Sequence, residues 1–286
     1  MSGGPPLDER AVALLACPVC GRTLGAQPDA SALRCADGHS FDRARQGHVT
    51  LLPPGHRPPS GDSAAMVADR VAFLEAGHYA GLTGALAGAV GADGAPRSLL
   101  DLGGGTGHHL ARLLDRTPDA VGVVLDSSPY AARRAARAHE RAVAVVADSW
   151  ARLPVRDGAV DRVLVVFAPR NGPEIARVLA SDGRLVVVTP AADHLGELVG
   201  PLGLLRVDPD KAARLAASLE PDLRPVRAAG HREQLVLSRG AAATLVGMGP
   251  HARHTTPAAV AAALARLPER IPVTVSVDVT TYRRAG

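Results

Sequence analysis

The middle of the chain alternates short apolar runs with stretches in which apolar positions recur at helical spacing. The apolar runs are Leu99 to Leu102, Val121 to Leu125, Val143 to Ala147, Asp161 to Phe167 and Arg184 to Thr189, all rich in Val and Leu. Short runs with so little polar alternation predict strands buried on both sides. Between them, Ser128 to Ala142 and Pro173 to Ala180 read as helices, and Ser181-Asp182-Gly183 reads as a tight turn into the fifth strand. Such strand–helix alternation predicts an α/β fold whose parallel sheet carries helices on both faces. Upstream, helical periodicity through Met66, Arg70, Phe73 and Leu74 predicts a first helix from about Asp62. Downstream, Leu195 to Leu205 and Pro209 to Leu219 read as helices. Gln234 to Leu237 and Ala241 to Val246 are apolar, but their pattern does not fix their type. Val273 to Tyr282 alternates cleanly and predicts an antiparallel strand.

The first apolar run ends in a glycine turn, Asp101-Leu102-Gly103-Gly104-Gly105-Thr106-Gly107-His108-His109. Glycines at 103, 105 and 107 let the backbone approach a ligand where a Cβ would clash. The N–H groups of the helix that follows point the same way. The dinucleotide pattern GxGxxG is not met, because its third glycine position holds His108. The spacing Asp-x-Gly-x-Gly-x-Gly resembles motif I of class I S-adenosylmethionine (AdoMet) methyltransferases, whose sheet is Rossmann-like with an antiparallel C-terminal strand. Asp126 ends the second strand 21 residues after Gly105, near the separation at which an acid reaches ribose hydroxyls. An Asp at a strand end also caps helices, and Asp126 before Ser127-Ser128-Pro129 suits that role; the glycine turn upstream favours the ligand. Asp148 ends the third strand, where such enzymes often carry an acid near the adenine amino group. Asp101 is expected to orient the glycine turn from behind.

All three cysteines lie near the start. Cys17-Pro18-Val19-Cys20 is followed, across fourteen intervening residues, by Cys35-Ala36-Asp37-Gly38-His39. Two ligands from each of two knuckles, turned by Gly21 and Gly38, give the Cys3His set of a structural zinc site. A disulfide framework would leave one cysteine over, and a redox CxxC would need a strand–helix context that is absent. A segment this short builds little core, so metal supplies much of its folding energy.

At 286 residues the chain has room for one large domain and one small one. The hydrophobic fraction is 47%, carried by Ala, Val and Leu, with aromatics at only 2%. No apolar run reaches membrane-spanning length and no cleavable signal is visible, so a cytoplasmic protein without a membrane partner is expected. A net charge of +4 and a pI of about 9.4 suit an anionic partner. Lys211 is the single lysine, and Arg133, Arg134, Arg137 and Arg141 read as one solvated helix face.

Across nearly its whole length the chain resembles the 23S ribosomal RNA guanine-N1 methyltransferases. The resemblance is carried by the zinc knuckles, Gly38 to Asp42, Gln46 to Leu52, Gly61-Asp62-Ser63, Gly77-His78-Tyr79, Gly103 to His109, Phe167 to Asn171, and Thr189-Pro190 with His194-Leu195. The Gly103–His109 and Ala168–Asn171 variants are similar to an actinobacterial branch tied to resistance against mycinosyl macrolides such as tylosin. The resemblance implies a zinc-binding RNA-recognition module over 1–52, a proline-rich linker over 53–61 and a methyltransferase domain over 62–286. It implies AdoMet and zinc as cofactors. It also implies methyl transfer to N1 of a guanine in a domain II hairpin of 23S rRNA, with no DNA partner; a homodimer is left open. By the same token Tyr79, Gly105, Thr106 and His194 join Asp101, Gly103, Gly107, Asp126 and Asp148 around the methyl donor. Arg170 and Asn171 would position the base, Arg170 donating to guanine O6. Arg43, Arg45 and Arg57 would lie near phosphates. His48 and Thr50 depart from the family pattern, which often has Tyr and Asn there. A small-molecule methyltransferase of antibiotic biosynthesis would share the donor loop but gives no reason for a zinc module.

Overall fold

The computed structural model describes residues 6–56, 61–204 and 217–285. An eight-stranded sheet dominates it. Five strands, β5 (Ser98–Leu102), β6 (Val121–Asp126), β7 (Ala142–Val146), β8 (Val160–Val166) and β9 (Leu179–Pro190), pair in parallel in the order β9-β8-β5-β6-β7. β11 (Arg270–Arg284) lies antiparallel beside β9, and β10 (Leu223–Ser238) lies antiparallel beside β11. The reversal of strand order at β5 puts a crevice above the carboxyl ends of β5 and β8, where open α/β sheets bind ligands. All five residues of β5 are buried, which is why its sequence shows no polar face.

Each face of the sheet carries its own core. One packs Phe73 of α2 (Ala64–Glu75), Leu82 and Leu86 of α3 (Ala80–Gly91), Leu110 of α4 (His108–Leu114) and Leu198 of α7 (Gly196–Leu202) against Leu99, Val124 and Val186. Leu245 of α8 (Arg239–Gly247) and Val260 of α9 (Pro257–Leu264) extend it. The other packs α1 (Glu9–Val12) and α6 (Gly172–Val178) against Leu100, Val123 and Val163. α5 (Pro129–Ala135) is capped by Ser128, whose side chain accepts from Ala131 N–H.

The cysteine-bearing segment forms a separate small sheet, β1 (Leu24–Ala26), β2 (Ala32–Cys35) and β3 (Ser40–Asp42). Its apolar residues Leu24, Leu33 and Cys35 merge into the α1–α6 core rather than forming one of their own. Two further stitches bind it: Ala16 N–H donates to Pro154 O at 3.0 Å, and β4 (Val49–Thr50) pairs in parallel with β7 at the edge of the large sheet.

Several elements differ from the sequence expectation. The helix expected over Ser128–Ala142 stops at Ala135, and Ala142 already belongs to β7. Arg141 is therefore not on a solvated face. Its guanidinium turns back to donate to the carbonyl of Leu114, the last residue of α4, and to those of Thr117, Pro118 and Ala120 in the loop that follows. Ser181-Asp182-Gly183 makes no tight turn; β9 runs through it, and the ladder adjusts by a register shift between Val160 and Arg162. The helix expected over Pro209–Leu219 lies outside the described residues except for its last three, which are helical.

Candidate active site and metal centre

The two cysteine knuckles close on one another. Gly21 and Gly38 take φ of +75° and +86°, and each turn is locked by a hydrogen bond, Gly21 N–H to Cys17 O at 2.8 Å and Gly38 N–H to Cys35 O at 3.0 Å. Arg22 and Asp37, one on each knuckle, form an ion pair at 2.8 Å. The ligand atoms of Cys17, Cys20, Cys35 and His39 all lie within 4.8 Å of one another. Cys20 Sγ is 3.7 Å from Cys35 Sγ, and Cys35 Sγ is 3.4 Å from His39 Nδ1.

The glycine turn forms the floor of the second site. Gly103, Gly105 and Gly107 have φ of +70°, +56° and +74°. Gly103 also has no room for a side chain, because a Cβ there would lie 2.5 Å from Ala168 Cβ in the loop after β8. Gly105 N–H donates to Asp126 Oδ2 at 2.9 Å, and Ser128 N–H donates to Asp126 Oδ1 at 2.8 Å, so Asp126 joins the turn to the next strand. Asp101 is buried beneath Gly104 with its Oδ2 unpaired. Burial, then the nearby Asp126 charge, pushes its carboxyl up to about 7. Thr106 is buried within the turn.

A row of rings adjoins the turn through the loop after β8, where Ala168, next to Phe167, touches Gly103. Tyr79 and Phe167 are 6.5 Å apart by centroid, Phe167 and His194 5.6 Å, and Phe73 packs edge-on against Tyr79 at 5.0 Å. Tyr79 is buried, and that burial raises its hydroxyl well above the ordinary range. Phe167 has φ of +53°, a strained backbone for a bulky residue of the kind that clusters at functional sites. His194 Nδ1 accepts from Ser276 N–H at 3.2 Å, which leaves the ring proton on Nε2. Burial lowers this histidine to about 4, so its ring is neutral at physiological pH.

Comparison with known proteins decides what the two sites belong to. Residues 15–58 match the family model of the RlmA N-terminal zinc ribbon, and residues 99–185 match that of a methyltransferase domain. A Streptomyces fradiae protein named 23S rRNA (guanine(748)-N(1))-methyltransferase is 50% identical over 283 residues, 97% of this chain and 99% of the relative. A Micromonospora griseorubida protein, provisionally named for the same type of reaction, is 52% identical over 287 residues, 94% of this chain and 97% of the relative. The chain belongs to the 23S rRNA (guanine-N1)-methyltransferase family. It is an AdoMet-dependent methyltransferase with an N-terminal zinc ribbon. The fold also recurs in the solved complex of the Haloferax volcanii Trm112 methyltransferase activator with a methyltransferase candidate, at TM-score 0.50 and 20% identity, covering 80% of this chain and 100% of that one.

The residues of this methyltransferase suit both groups. A tetrahedron of Zn–S bonds of about 2.3 Å has S–S edges of about 3.8 Å, close to the Cys20–Cys35 spacing, and Cys3His is a zinc donor set. For AdoMet, the turn offers a surface where side chains are absent by necessity, an unpaired buried carboxylate in Asp101, and aromatic walls for a sulfonium. Two acids expected at the cofactor have partners within the chain: Asp126 holds the turn, and Asp148 Oδ2 lies 2.8 Å from His56 Nε2.

Arg170 lies elsewhere. It lines a cavity of about 390 Å³ with Thr189, Asp278 and Tyr282, and its buried Nε has no partner. Tyr282 belongs to the core on the α1–α6 face, whereas Tyr79 belongs to the opposite core. Asn171 donates to the carbonyls of Trp150 at 3.0 Å and Ala151 at 3.3 Å, tying the loop after β8 to the loop after β7. Arg43 Nε donates to Gly47 O at 3.0 Å, Arg45 is exposed, and Arg57 lies outside the described residues. Sequence reasoning missed His56 beside Asp148 and Arg70 beside Gly105; Phe167, already marked within Phe167 to Asn171, takes its place in the ring row. Only Phe167, next to Ala168-Pro169-Arg170, carried a signal. Among the described residues no helix is long and apolar enough to cross a membrane.

Proposed function

We propose that this enzyme methylates N1 of a guanine in a domain II hairpin of 23S rRNA, the guanine specified in the Streptomyces fradiae relative's name, and that this modification protects ribosomes from mycinosyl macrolides. The observation that carries the reading is the union, in one chain similar over its full length to that relative, of a zinc ribbon with a glycine-turn cradle. AdoMet, when bound, supplies an electrophilic methyl group. The protein's task is then largely alignment, since an in-line displacement gains most from fixed reactant geometry.

Guanine N1 carries a proton at neutral pH and is a weak nucleophile until O6 can hold developing negative charge. Arg170 lines the Tyr282 cavity on the sheet face opposite Tyr79, so no contact with O6 is assigned to it. Asn171 positions the loop that carries it. Tyr79 and His194 line the donor's methyl side, and Gly103, Gly105, Thr106, Gly107, Asp101, Asp126 and Asp148 surround the rest. The module over 1–52 and the linker over 53–61 grip the hairpin, Arg45 contributing to phosphate contact, and deliver a base unstacked from its loop to the domain over 62–286. A homodimer belongs to the same reading, and sedimentation tests it.

Primer extension on 23S rRNA incubated with enzyme and AdoMet tests the assignment, because a methyl on N1 blocks Watson–Crick pairing and stops reverse transcriptase. One new stop in the domain II hairpin is expected. Label from AdoMet that enters a macrolide instead of RNA would replace this reading with small-molecule methylation.

A further inference from the structure

Arg70 projects from α2 onto the glycine turn. A Cβ at Gly105 would lie 3.0 Å from Arg70 Nη1 and 3.5 Å from its Cδ, so the guanidinium stands directly against the backbone that forms the cradle floor. Two bonds fix its position. Nη1 pairs with Asp62 Oδ2 at 2.5 Å, and Nη2 donates to Met248 O at 2.8 Å, just past the end of α8. Gly247 lets α8 come this close, because a Cβ there would fall 2.1 Å from Asp69 Oδ2 on α2. Asp62 is held in turn by its own backbone, whose carbonyl accepts from Ser128 Oγ at 2.7 Å. The Ser128 hydroxyl thus fixes the strand-like stretch carrying Asp62 beside the β6–α5 turn.

A second guanidinium, Arg253, reaches the other oxygen of Asp62 at 3.8 Å, and the remaining charged side chains at the turn are acids. Asp101 lies beneath it, Asp126 accepts from it, and Asp62 faces it through Arg70. Arg70 acts on this whole neighbourhood: its charge favours ionisation of Asp126 and opposes protonation of His109, the second residue of α4. AdoMet ends in an amino acid, with an ammonium and a carboxylate on one carbon. An acid-rich floor suits the ammonium, and the carboxylate requires a cation close by. The guanidinium, with five N–H donors, retains donors beyond those given to Asp62 and Met248.

We infer that Arg70 is the residue that receives the α-carboxylate of the methyl donor, held ready over Gly105 by Asp62 and the Met248 carbonyl. The assignment rests on the methyl-transfer reading above and adds to it the group that selects the amino-acid end of the cofactor. Arg70 binds and orients the donor; it takes no part in moving the methyl group or the N1 proton.

Two ligands separate this role from a structural one. S-adenosylhomocysteine carries the amino-acid end, and 5′-methylthioadenosine keeps the nucleoside and sulfur but lacks it. By calorimetry on the full zinc-loaded chain, Arg70→Met should weaken S-adenosylhomocysteine roughly 10- to 100-fold, as expected for a lost charge-assisted pair. The same variant should bind 5′-methylthioadenosine as the parent protein does. Arg70→Lys should recover part of the first loss, because it restores charge without the planar fork. Equal weakening of both ligands by Arg70→Met would make Arg70 a packing residue, and unchanged S-adenosylhomocysteine binding would remove the carboxylate contact; either result overturns the inference. A parent protein that binds neither ligand would instead refute the methyl-transfer reading itself.

Discussion

The zinc ribbon and the cofactor cradle use the same backbone device for different ends. Both are built on glycines in the left-handed region, Gly21 and Gly38 in one, Gly103, Gly105 and Gly107 in the other. What surrounds those glycines differs. A Cβ at Gly21 would meet nothing within 4 Å, and one at Gly38 would meet only the tip of Arg34 at 3.7 Å. At Gly103 it would strike Ala168, and at Gly105 it would press on Arg70. The ribbon's glycines turn the chain so that four side chains can converge on a metal. The cradle's glycines also let neighbouring side chains close directly on the turn, Ala168 at Gly103 and Arg70 at Gly105. The ribbon depends on an external tie, whereas the cradle rests on strands buried on both faces.

The largest expected effect breaks the two regions apart. Zinc contributes on the order of 10 kcal/mol in small sites of this kind. Its chelation should unfold the ribbon, lower the thermal midpoint by on the order of 10 °C through the shared core at Leu24 and Leu33, and abolish RNA binding. S-adenosylhomocysteine affinity should survive within about threefold, since the cradle is built from other elements. Calorimetry on the chelated protein checks both halves.

Next in size is Gly103→Ala. The new methyl must displace Ala168 as well as adopt a left-handed backbone, so a stability loss of about 3 kcal/mol or more is expected, with cofactor affinity falling alongside. Denaturant titration and calorimetry read the two effects.

A third effect, smaller and dependent on pH, belongs to Asp101. Burial raises its folded pKa to about 7, above its value in the unfolded chain. The folded protein therefore holds a proton that the unfolded chain has released. Without cofactor, stability should fall as pH rises from about 4 to about 7 and then level off, by an amount on the order of a few kcal/mol. Asp101→Asn should remove this dependence, as thermal melts across that range would reveal.

The smallest effect is Gly38→Ala. Its methyl makes only an ordinary contact with the tip of Arg34, so the left-handed backbone alone is penalised, about 1–2 kcal/mol, with no change in S-adenosylhomocysteine affinity. A loss of cofactor binding in that variant would erase the distinction between the two regions.

The pattern of residues revealed one half of the molecule better than the other. β5 to β8 were legible because strands buried on both faces show as Val- and Leu-rich runs, and the metal knuckles because cysteines are rare. β10 was not, because its first half, Arg224 to Gly230, is exposed and carries no apolar alternation; only Gln234 to Leu237 hinted at it. α3 escaped notice because Ala and Gly on its other faces blur the stripe of Leu82, Leu86 and Val90. Arg141 looked like one more surface arginine, and only the four carbonyls of Leu114 and the α4–β6 loop give it a purpose. Arg70 was read as a place in a helical period. Its position over Gly105 depends on α8, far along the chain, and no local pattern encodes that approach.

The central claim is that this chain moves a methyl group from AdoMet to N1 of a guanine in 23S rRNA. Mass spectrometry of nucleosides digested from a domain II hairpin transcript, incubated with zinc-loaded protein and AdoMet, tests it most directly. The account predicts 1-methylguanosine as the single new nucleoside, formed only when AdoMet is present. Methylguanosine modified at another atom, or an RNA that gains no methyl group while the protein binds S-adenosylhomocysteine normally, would contradict it.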